Sequence, residues 1–172
     1  EKPVPEKVIY TMYERYIKPP QQVIEYDDNK EECIIVDIDG TLAHIADGRS
    51  PYDASRAMND SLDDAVSVIT AMFYNHGYKV IILTGRHEEH REVTEQWLEE
   101  NGVEYDELYT RMEDDVDEKG NRLDDKIVKE RIYNTHIKGR FNVKYALDDR
   151  NRVVNKWRSL GIVCWQVAPG NF

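Results

Sequence analysis

The feature that most constrains this chain is a regular alternation of short β-rich runs and helical patterns that begins at Cys33. The β-rich runs lie at Cys33–Val36, Lys79–Leu83, Leu108–Thr110, Val143–Leu147 and Ile162–Val167. Alternation of this kind is typical of a parallel sheet, because parallel neighbours need a crossover connection between them. The pattern therefore predicts an α/β fold in which helices cover both faces of one parallel sheet.

Four helical patterns separate the strands, and each repeats apolar side chains along one face. The first helix is expected to be capped near Asp60 or Ser61, and the second to stop at Asn101-Gly102. Trp97 and Trp157 are predicted to be core residues. The apolar positions are Leu62, Val66, Ile69 and Phe73; Val93 and Trp97; Ile127, Val128 and Ile132; and Val153, Val154, Trp157 and Leu160.

Residues 1–31 differ from the main domain, which we place at residues 32–172. Apolar side chains at spacings of three and four predict one amphipathic helix, ended by Pro19-Pro20 and followed by a polar linker. A single helix cannot bury its own apolar face, so we expect it to pack on the main domain or to end another domain. The chain starts at Glu1 rather than Met, and we therefore expect a piece of a longer protein. The apolar positions are Ile9, Met12, Tyr13, Tyr16 and Ile17.

The net charge and composition limit the kinds of molecule that this chain is expected to bind. The net charge of −11 argues against a nonspecific duplex binder, although a locally positive site could still recognise one phosphorylated end. No apolar run approaches the roughly 20 residues that a membrane helix needs, and no signal peptide is visible. Cys33 and Cys164 are interpreted as small buried residues rather than a disulfide. These features predict a cytoplasmic protein with no membrane partner.

Polar residues follow the strands at the points where they end. Asp37-Ile38-Asp39-Gly40-Thr41 follows the first strand, Thr84-Gly85-Arg86 the second, and Asp148-Asp149-Arg150 the fourth. In open parallel sheets the carboxyl ends of the strands form the ligand site, so we expect these side chains to converge. One Asp-x-Asp-Gly run alone would be equally compatible with a turn. The further clusters at the same edge favour a function.

Several carboxylates at one edge repel each other and need a cation. Oxygen ligands without a His/Cys set indicate Mg²⁺. We expect Asp149 to complete a magnesium site with Asp37 and the carbonyl of Asp39, and Asp148 to act behind it or through water. The sequence therefore predicts a magnesium-dependent site.

The position of each residue suggests a role in phosphoryl transfer. Asp37 ends a buried strand and is rigidly aimed, which suits a nucleophile that forms an aspartyl-phosphate. Asp39 lies in a turn and suits a general acid, then a general base. The Thr84 hydroxyl and the backbone N–H groups after Asp37 suit the phosphoryl oxygens. Lys129 is expected to neutralise charge on the phosphoryl group and on Asp37.

The order of these motifs resembles the four motifs of the haloacid dehalogenase superfamily of phosphatases, over residues 33–172. The resemblance implies a Rossmann-like sheet without a large cap domain. The insertion after Asp39 is only about 20 residues long, which would leave the site open to a polymer end. The motifs are Asp37-x-Asp39-Gly40-Thr41, Thr84, Lys129 and Asp148-Asp149.

Three local signatures are similar to the 3′-phosphatase domain of the phage-type polynucleotide kinase-phosphatases: Gly48–Asp53, Asp125–Glu130 and Val163–Ala168. The resemblance implies removal of 3′-phosphates, and of 2′,3′-cyclic phosphates, from DNA or RNA ends during end healing and repair. It implies that Arg49, Gly85, Arg86 and Asp125 bind substrate. The resemblance also allows a homo-oligomer and a phage-encoded protein in a bacterial host. It further allows a covalently linked kinase domain, whose tail would be residues 1–31. The chain has no Gly-x-x-x-x-Gly-Lys-[Ser/Thr] phosphate loop, so these residues are not expected to act as a kinase.

Alternatives stay open at this point. Taken alone, Arg49 is interpreted as a solvated loop residue, and Asp125 could equally be a helix cap. Whether Asp124 or Asp125 is the functional residue also stays open. The acidic run Glu113–Gly120 is interpreted as a solvated loop. The alternative function is a general phosphatase of this superfamily that acts on free nucleotides or small phosphate esters. A non-catalytic module is disfavoured because the full set of site residues is present.

Overall fold

The computed structural model describes residues 5–16, 24–50 and 53–171. Ile17, Pro19-Pro20 and the start of the predicted linker lie outside the described residues. The elements are α1 (Glu6–Tyr16), β1 (Glu31–Val36), β2 (Ala43–His44), β3 (Ser61–Leu62), α2 (Asp64–Asn75), β4 (Lys79–His87), α3 (Arg91–Glu100), β5 (Glu107–Arg111), α4 (Asp125–Ile132), β6 (Phe141–Arg150), α5 (Asn151–Ser159) and β7 (Val163–Gly170).

Five parallel strands form the main sheet in the order β5-β4-β1-β6-β7. The central strand β1 is buried on both faces, which explains its continuous apolar run. The predicted ends of β4, β6 and β7 were wrong: β4 continues through Thr84-Gly85-Arg86, β6 through Asp148-Asp149-Arg150, and β7 to Gly170. Pairing of β4 with β5 is interrupted between Leu83 and His87, and pairing of β6 with β7 is interrupted between Asp148 and Arg150, so the polar residues lie where the ladder is irregular.

Helices cover both faces of the sheet, as predicted. One core contains Trp157 of α5 together with Val128 and Ile132 of α4. The other core contains Trp97 of α3 and Val66 of α2. Both tryptophans are fully buried, so the two helical layers are held by the burial of large apolar area.

The predicted cap of α2 was wrong. The helix begins at Asp64, and the carboxylate of Asp63 accepts the N–H of Val66 at 2.9 Å. Ser61 and Leu62 instead pair with β2 in a short antiparallel ladder, which keeps them out of the helix. Asp60 is buried and makes tertiary contacts, described below.

The insertion between Asp39 and α2 contains only short elements among the described residues: the β2–β3 ladder and one 3₁₀ turn at Ala57–Asn59. This agrees with the absence of a large cap. The acidic run Glu113–Gly120 is mostly exposed, but Asp115 is buried because it accepts the N–H of Met112 and pairs with Arg131. The solvated-loop interpretation was therefore wrong for that residue.

The amino-terminal helix is present as α1, and its described apolar side chains Val8, Ile9 and Tyr10 are exposed. Part of the predicted linker belongs to the domain edge. The amide of Asn142 donates to the carbonyls of Asp27 and Lys30, and its oxygen accepts the N–H of Asp27. Within the described ranges, none of the helices combines the length and the apolar character that crossing a membrane requires.

Candidate active site

A cavity lies at the edge of the sheet where β1, β4 and β6 present their polar residues. Parallel strands place their carboxyl ends together, so the convergence follows from the topology. Six predicted site residues meet at this cavity, and two further arginines join them. The lining side chains and backbone belong to Asp37, Asp39, Gly85, Arg122, Asp125, Lys129, Asp148, Arg150 and Val153.

A buried ion-pair centre forms the floor. The Nζ of Lys129 lies 2.7 Å from Oδ1 of Asp37 and 2.7 Å from Oδ2 of Asp148. Burial raises the pKa of Asp37, Lys129 opposes this effect, and the negative charges of Asp148 and Asp149 add to it. Burial disfavours the charge on Lys129, but Asp148 and Asp37 outweigh it and raise the pKa of the lysine. Lys129 is therefore a permanent positive charge beside Asp37.

Asp37, Asp148 and Asp149 form a carboxylate triad. One oxygen of each lies within 4.8 Å of the others, and all three residues are buried. Burial and the neighbouring Asp148 raise the pKa of Asp149, as expected for like charges held together. Three carboxylates exceed the single ammonium of Lys129, and a set of oxygen donors suits a hard divalent cation. The residues therefore fit Mg²⁺, and one oxygen of Asp148 lies with those of Asp37 and Asp149 while the other pairs with Lys129.

Gly40 lets the triad approach the loop after β1. Its φ is 86°, a conformation that residues with a Cβ rarely adopt. A Cβ at this position would lie 2.7 Å from Cγ of Asp149. Glycine is therefore required both by the backbone and by the carboxylate packed against it.

Asp39 faces the cavity but turns its carboxylate to two arginines. Arg86 donates to both of its oxygens at 2.9 and 2.8 Å, and Arg49 donates to Oδ1 at 2.9 Å. Burial alone would raise the pKa of Asp39, but the hydrogen bonds and charges of Arg86 and Arg49 bring it below its ordinary value. The carboxylate of Asp39 is not part of the triad among the described residues.

The two arginines lie behind Asp39 rather than on the cavity wall. Arg49 is 4% exposed, so its interpretation as a solvated loop residue was wrong. Both guanidinium groups also donate to Asp60, with Arg49 Nε and Arg86 Nη2 each 3.0 Å from one of its oxygens. The carbonyl of Asp60 accepts the indole N–H of Trp97 at 3.0 Å. Through these contacts, Asp60 connects the arginines that hold Asp39 to the buried Trp97. From the sequence alone, the position of Asp60 before a helix suggested only a helix cap.

Thr84 and Gly85 follow the apolar part of β4. Thr84 is fully buried, and its hydroxyl accepts the N–H of Arg86 at 3.2 Å. Gly85 forms part of the cavity wall, where a Cβ would lie 3.1 Å from Oδ1 of Asp125. The absence of a side chain at Gly85 therefore leaves room for Asp125.

The structure separates the two aspartates at the start of α4. Asp124 caps the helix by accepting the N–H of Lys126 at 3.0 Å. Asp125 faces the cavity instead and pairs with Arg111 and Arg150.

Arg111 and Arg122 complete the arginine cluster and were not expected from the sequence. Arg111 is fully buried, and Arg122 donates to the carbonyl of Gly85 at 2.9 Å. Arg122 also lies 3.8 Å from the carboxylate of Asp125. Arg111 comes from β5, too far along the chain from Asp125 for any local spacing to relate them. Arg122 comes from a loop and lies three residues before Asp125, so its spacing from that motif was a signal that the sequence did offer.

Comparison with known proteins agrees with this geometry. A family model described as the phosphatase domain of polynucleotide kinase PNKP matches residues 31–172. A putative bifunctional polynucleotide kinase/RNA ligase of Autographa californica nuclear polyhedrosis virus is 25% identical over 165 residues, which are 93% of this chain and 23% of that protein.

Two solved structures are similar over most of the chain. A chain of a Pnkp1/Rnl/Hen1 complex is 38% identical with a TM-score of 0.79, over 87% of this chain and 50% of its own length. A chain of the Pnkp1/Rnl/Hen1 RNA repair complex is 32% identical with a TM-score of 0.80, over 99% of this chain and 58% of its own. The present chain thus spans little more than half of these solved relatives and less than a quarter of the viral one.

The family match covers the sheet, the triad and the arginines around Asp39, and it confirms the Rossmann-like fold without a large cap. The chain therefore belongs to the family of polynucleotide kinase phosphatase domains, within the haloacid dehalogenase superfamily.

Proposed function

We propose that this chain is a magnesium-dependent 3′-phosphatase that hydrolyses phosphate from the 3′ ends of DNA or RNA through an aspartyl-phosphate on Asp37. The observation that carries the proposal is the pairing of Asp37 with Lys129 at 2.7 Å, inside a buried triad at the edge of the sheet. The ammonium of Lys129 favours the ionised form of this carboxylate, against the burial that raises its pKa, and it lies beside the atom that would attack phosphorus. The family match supports the same chemistry.

In the first step an oxygen of Asp37 attacks phosphorus, and the bond from phosphorus to the 3′-oxygen breaks. The leaving oxygen takes a proton from the carboxyl of Asp39. Arg86 and Arg49 favour the carboxylate form of Asp39, so the proposal requires that Asp39 first takes up this proton from the singly protonated phosphate ester as it binds, and then gives it to the leaving oxygen. When Mg²⁺ is bound at the triad, it supplies positive charge that offsets the charge on the phosphoryl oxygens.

In the second step water attacks the aspartyl-phosphate, and Asp39 takes the proton that the water loses. The bond between phosphorus and Asp37 breaks, which returns the free carboxylate and releases inorganic phosphate. Arg49 and Arg86, whose guanidinium groups contact Asp39 rather than the cavity, are proposed to position this acid–base group and not to bind phosphate themselves.

The test compares substrates and a nucleophile variant in the presence of Mg²⁺. We expect 3′-phosphorylated DNA or RNA oligonucleotides to be hydrolysed with higher kcat/KM than nucleoside 3′-monophosphates and small phosphate esters. Better turnover of the small esters would favour the alternative, a general phosphatase. Asp37→Asn is expected to abolish turnover, whereas Asp114→Asn, in the exposed acidic run, should leave it intact. Retained activity in Asp37→Asn would remove Asp37 as the nucleophile.

We also propose that residues 1–31 join this domain to a kinase domain. The support is the exposed apolar side chains of α1 and the similarity of this chain to the viral putative bifunctional polynucleotide kinase/RNA ligase. A longer form of the protein that includes the preceding sequence is expected to phosphorylate 5′-hydroxyl ends. Absence of kinase activity from that longer form would contradict the proposal.

A further inference from the structure

A second groove continues outward from the catalytic cavity. Its volume is about 520 Å³, and it is lined by Arg122, Leu123, Asp124, Asp125, Arg150 and Arg152. Arg122, Asp125 and Arg150 also line the catalytic cavity, so the two spaces adjoin along these side chains. We call this surface the arginine groove. A substrate that extends beyond its reacting phosphate in this direction would contact the arginine groove.

The arginine groove is locally positive on an acidic protein. Three guanidinium groups face two carboxylates along its walls, and the buried Arg111 adds a further positive charge against Asp125. The whole chain carries a net charge of −11. This concentration of arginines beside the site therefore runs against the overall charge of the molecule.

Exposure increases along the groove from the cavity outward. The side chains of Arg150, Arg122 and Arg152 are 16%, 30% and 42% exposed. Arg150 and Arg122 each lie no more than 3.8 Å from the carboxylate of Asp125, and both contribute to the wall of the catalytic cavity. Arg152 lies outside the catalytic cavity and pairs with Asp124 at 3.3 Å. A partly exposed ion pair of this kind contributes little to stability, so Arg152 can be substituted without unfolding the protein.

We propose that the arginine groove binds the phosphodiester backbone of the strand whose 3′ end enters the cavity, with Arg152 as its outermost phosphate contact. The inference rests on the proposed function and adds a path for the rest of the substrate. Guanidinium groups pair with phosphate oxygens through charge-assisted hydrogen bonds. A nucleoside 3′-monophosphate has no phosphodiester to place there. The groove therefore distinguishes a polymer from a monomer without reading its sequence.

The experiment measures kcat/KM for a 3′-phosphorylated ten-nucleotide oligomer and for a nucleoside 3′-monophosphate, over a range of salt concentrations. In Arg152→Ala the ratio of the two values should fall about fivefold to tenfold, through KM for the oligomer, and the salt dependence should lose about one phosphate contact. Arg152→Lys should retain part of the ratio because the charge remains. Lys156→Ala is the matched control, since Lys156 lies on the same helix α5 and pairs with Glu130 instead.

The outcomes separate the two proposals. If the wild-type protein prefers the oligomer and Arg152→Ala keeps that preference, the groove proposal is overturned while the 3′-phosphatase proposal stands. If the wild-type protein shows no preference, the proposed function fails, and the groove proposal falls with it. An equal loss on both substrates in Arg152→Ala would also overturn the groove proposal, because it would indicate damage to the catalytic cavity.

Discussion

Replacing Asp60 by asparagine removes the charge that two buried guanidinium groups share, while it keeps the volume of the side chain. The carboxylate of Asp60 is fully buried and accepts hydrogen bonds from Arg49 and Arg86. After the change, both arginines would depend on Asp39, which is the more exposed carboxylate of the network. The substitution therefore tests whether Asp60 holds the arginines that position Asp39.

The expected magnitude follows from the burial of the pair. Removing one partner of a buried ion pair costs about 3–5 kcal/mol, because the remaining charge is left in a poorly solvated site. The amide oxygen of asparagine can still accept one hydrogen bond, which offsets about 1 kcal/mol. We therefore expect Asp60→Asn to lower the free energy of unfolding by about 2–4 kcal/mol. Most domains of this size would remain folded after such a loss.

Urea denaturation followed by the fluorescence of the buried Trp97 and Trp157 measures this change. Activity should fall by about tenfold to 100-fold, because a small displacement of an acid–base group is costly. The matched control is Glu130→Gln, which removes a half-exposed ion pair with Lys156 and should cost less than about 1 kcal/mol. A stability loss in Asp60→Asn no larger than in this control, with activity kept, would refute the role assigned to Asp60.

Four other expectations concern separate parts of the chain. Gly40→Ala should reduce activity by about 100-fold or more, because a Cβ would displace Asp149; a steady-state assay measures this. Cys33 and Cys164 should resist iodoacetamide at pH 8 until the protein is unfolded, because burial raises the pKa of each thiol to about 12; mass spectrometry counts the alkylated sites. Asp63→Ala should lower stability by about 1 kcal/mol. Hydrogen bonds from N–H groups at the start of α2 hold the pKa of Asp63 below its ordinary value, so its contribution is present near neutral pH and is lost as the pH falls through that lowered pKa. Mg²⁺ should raise Tm and EDTA should reverse the rise, because the carboxylate triad is relieved of its repulsion; an unchanged Tm would contradict the fit of the triad to a cation.

The sheet and the floor of the site could be predicted because both depend on the order of strands along the chain. Buried parallel strands are continuous apolar runs, and their carboxyl ends meet at one edge. Asp37 was identified in this way. Lys129 lies on helix α4 rather than after a strand, and the structure brings its ammonium to 2.7 Å from Asp37. The ends of the strands were harder to place. After the irregular segments, pairing resumes at His87 in β4 and at Arg150 in β6. Neither residue is apolar, so the sequence gives no hydrophobic signal that the strand continues.

The arginine network around Asp39 could not be predicted from local patterns. Asp60 precedes a helix by a few residues, which is also where a capping aspartate lies, and only tertiary contact distinguishes the two roles. The strands β2 and β3 contain two residues each, too few to show a periodicity. Their pairing shifts the start of α2 to Asp64 and leaves Asp60 free to meet Arg49 and Arg86.

The charged residues of the site form three groups, and each suits one part of the proposed reaction: binding of a cation, acid–base chemistry, and binding of the substrate strand. The carboxylate triad exceeds the ammonium of Lys129 by two negative charges, which is what a divalent cation neutralises. The pairing of Asp39 and Asp60 with two arginines is neutral, so the acid–base group is held in place without attracting or repelling an anion. Around Asp125 the arginines are in excess, and this excess faces the arginine groove. The groove proposal thus explains how a chain with a net charge of −11 would bind a polyanion at one edge, since its arginines are in excess where the strand would leave the catalytic cavity.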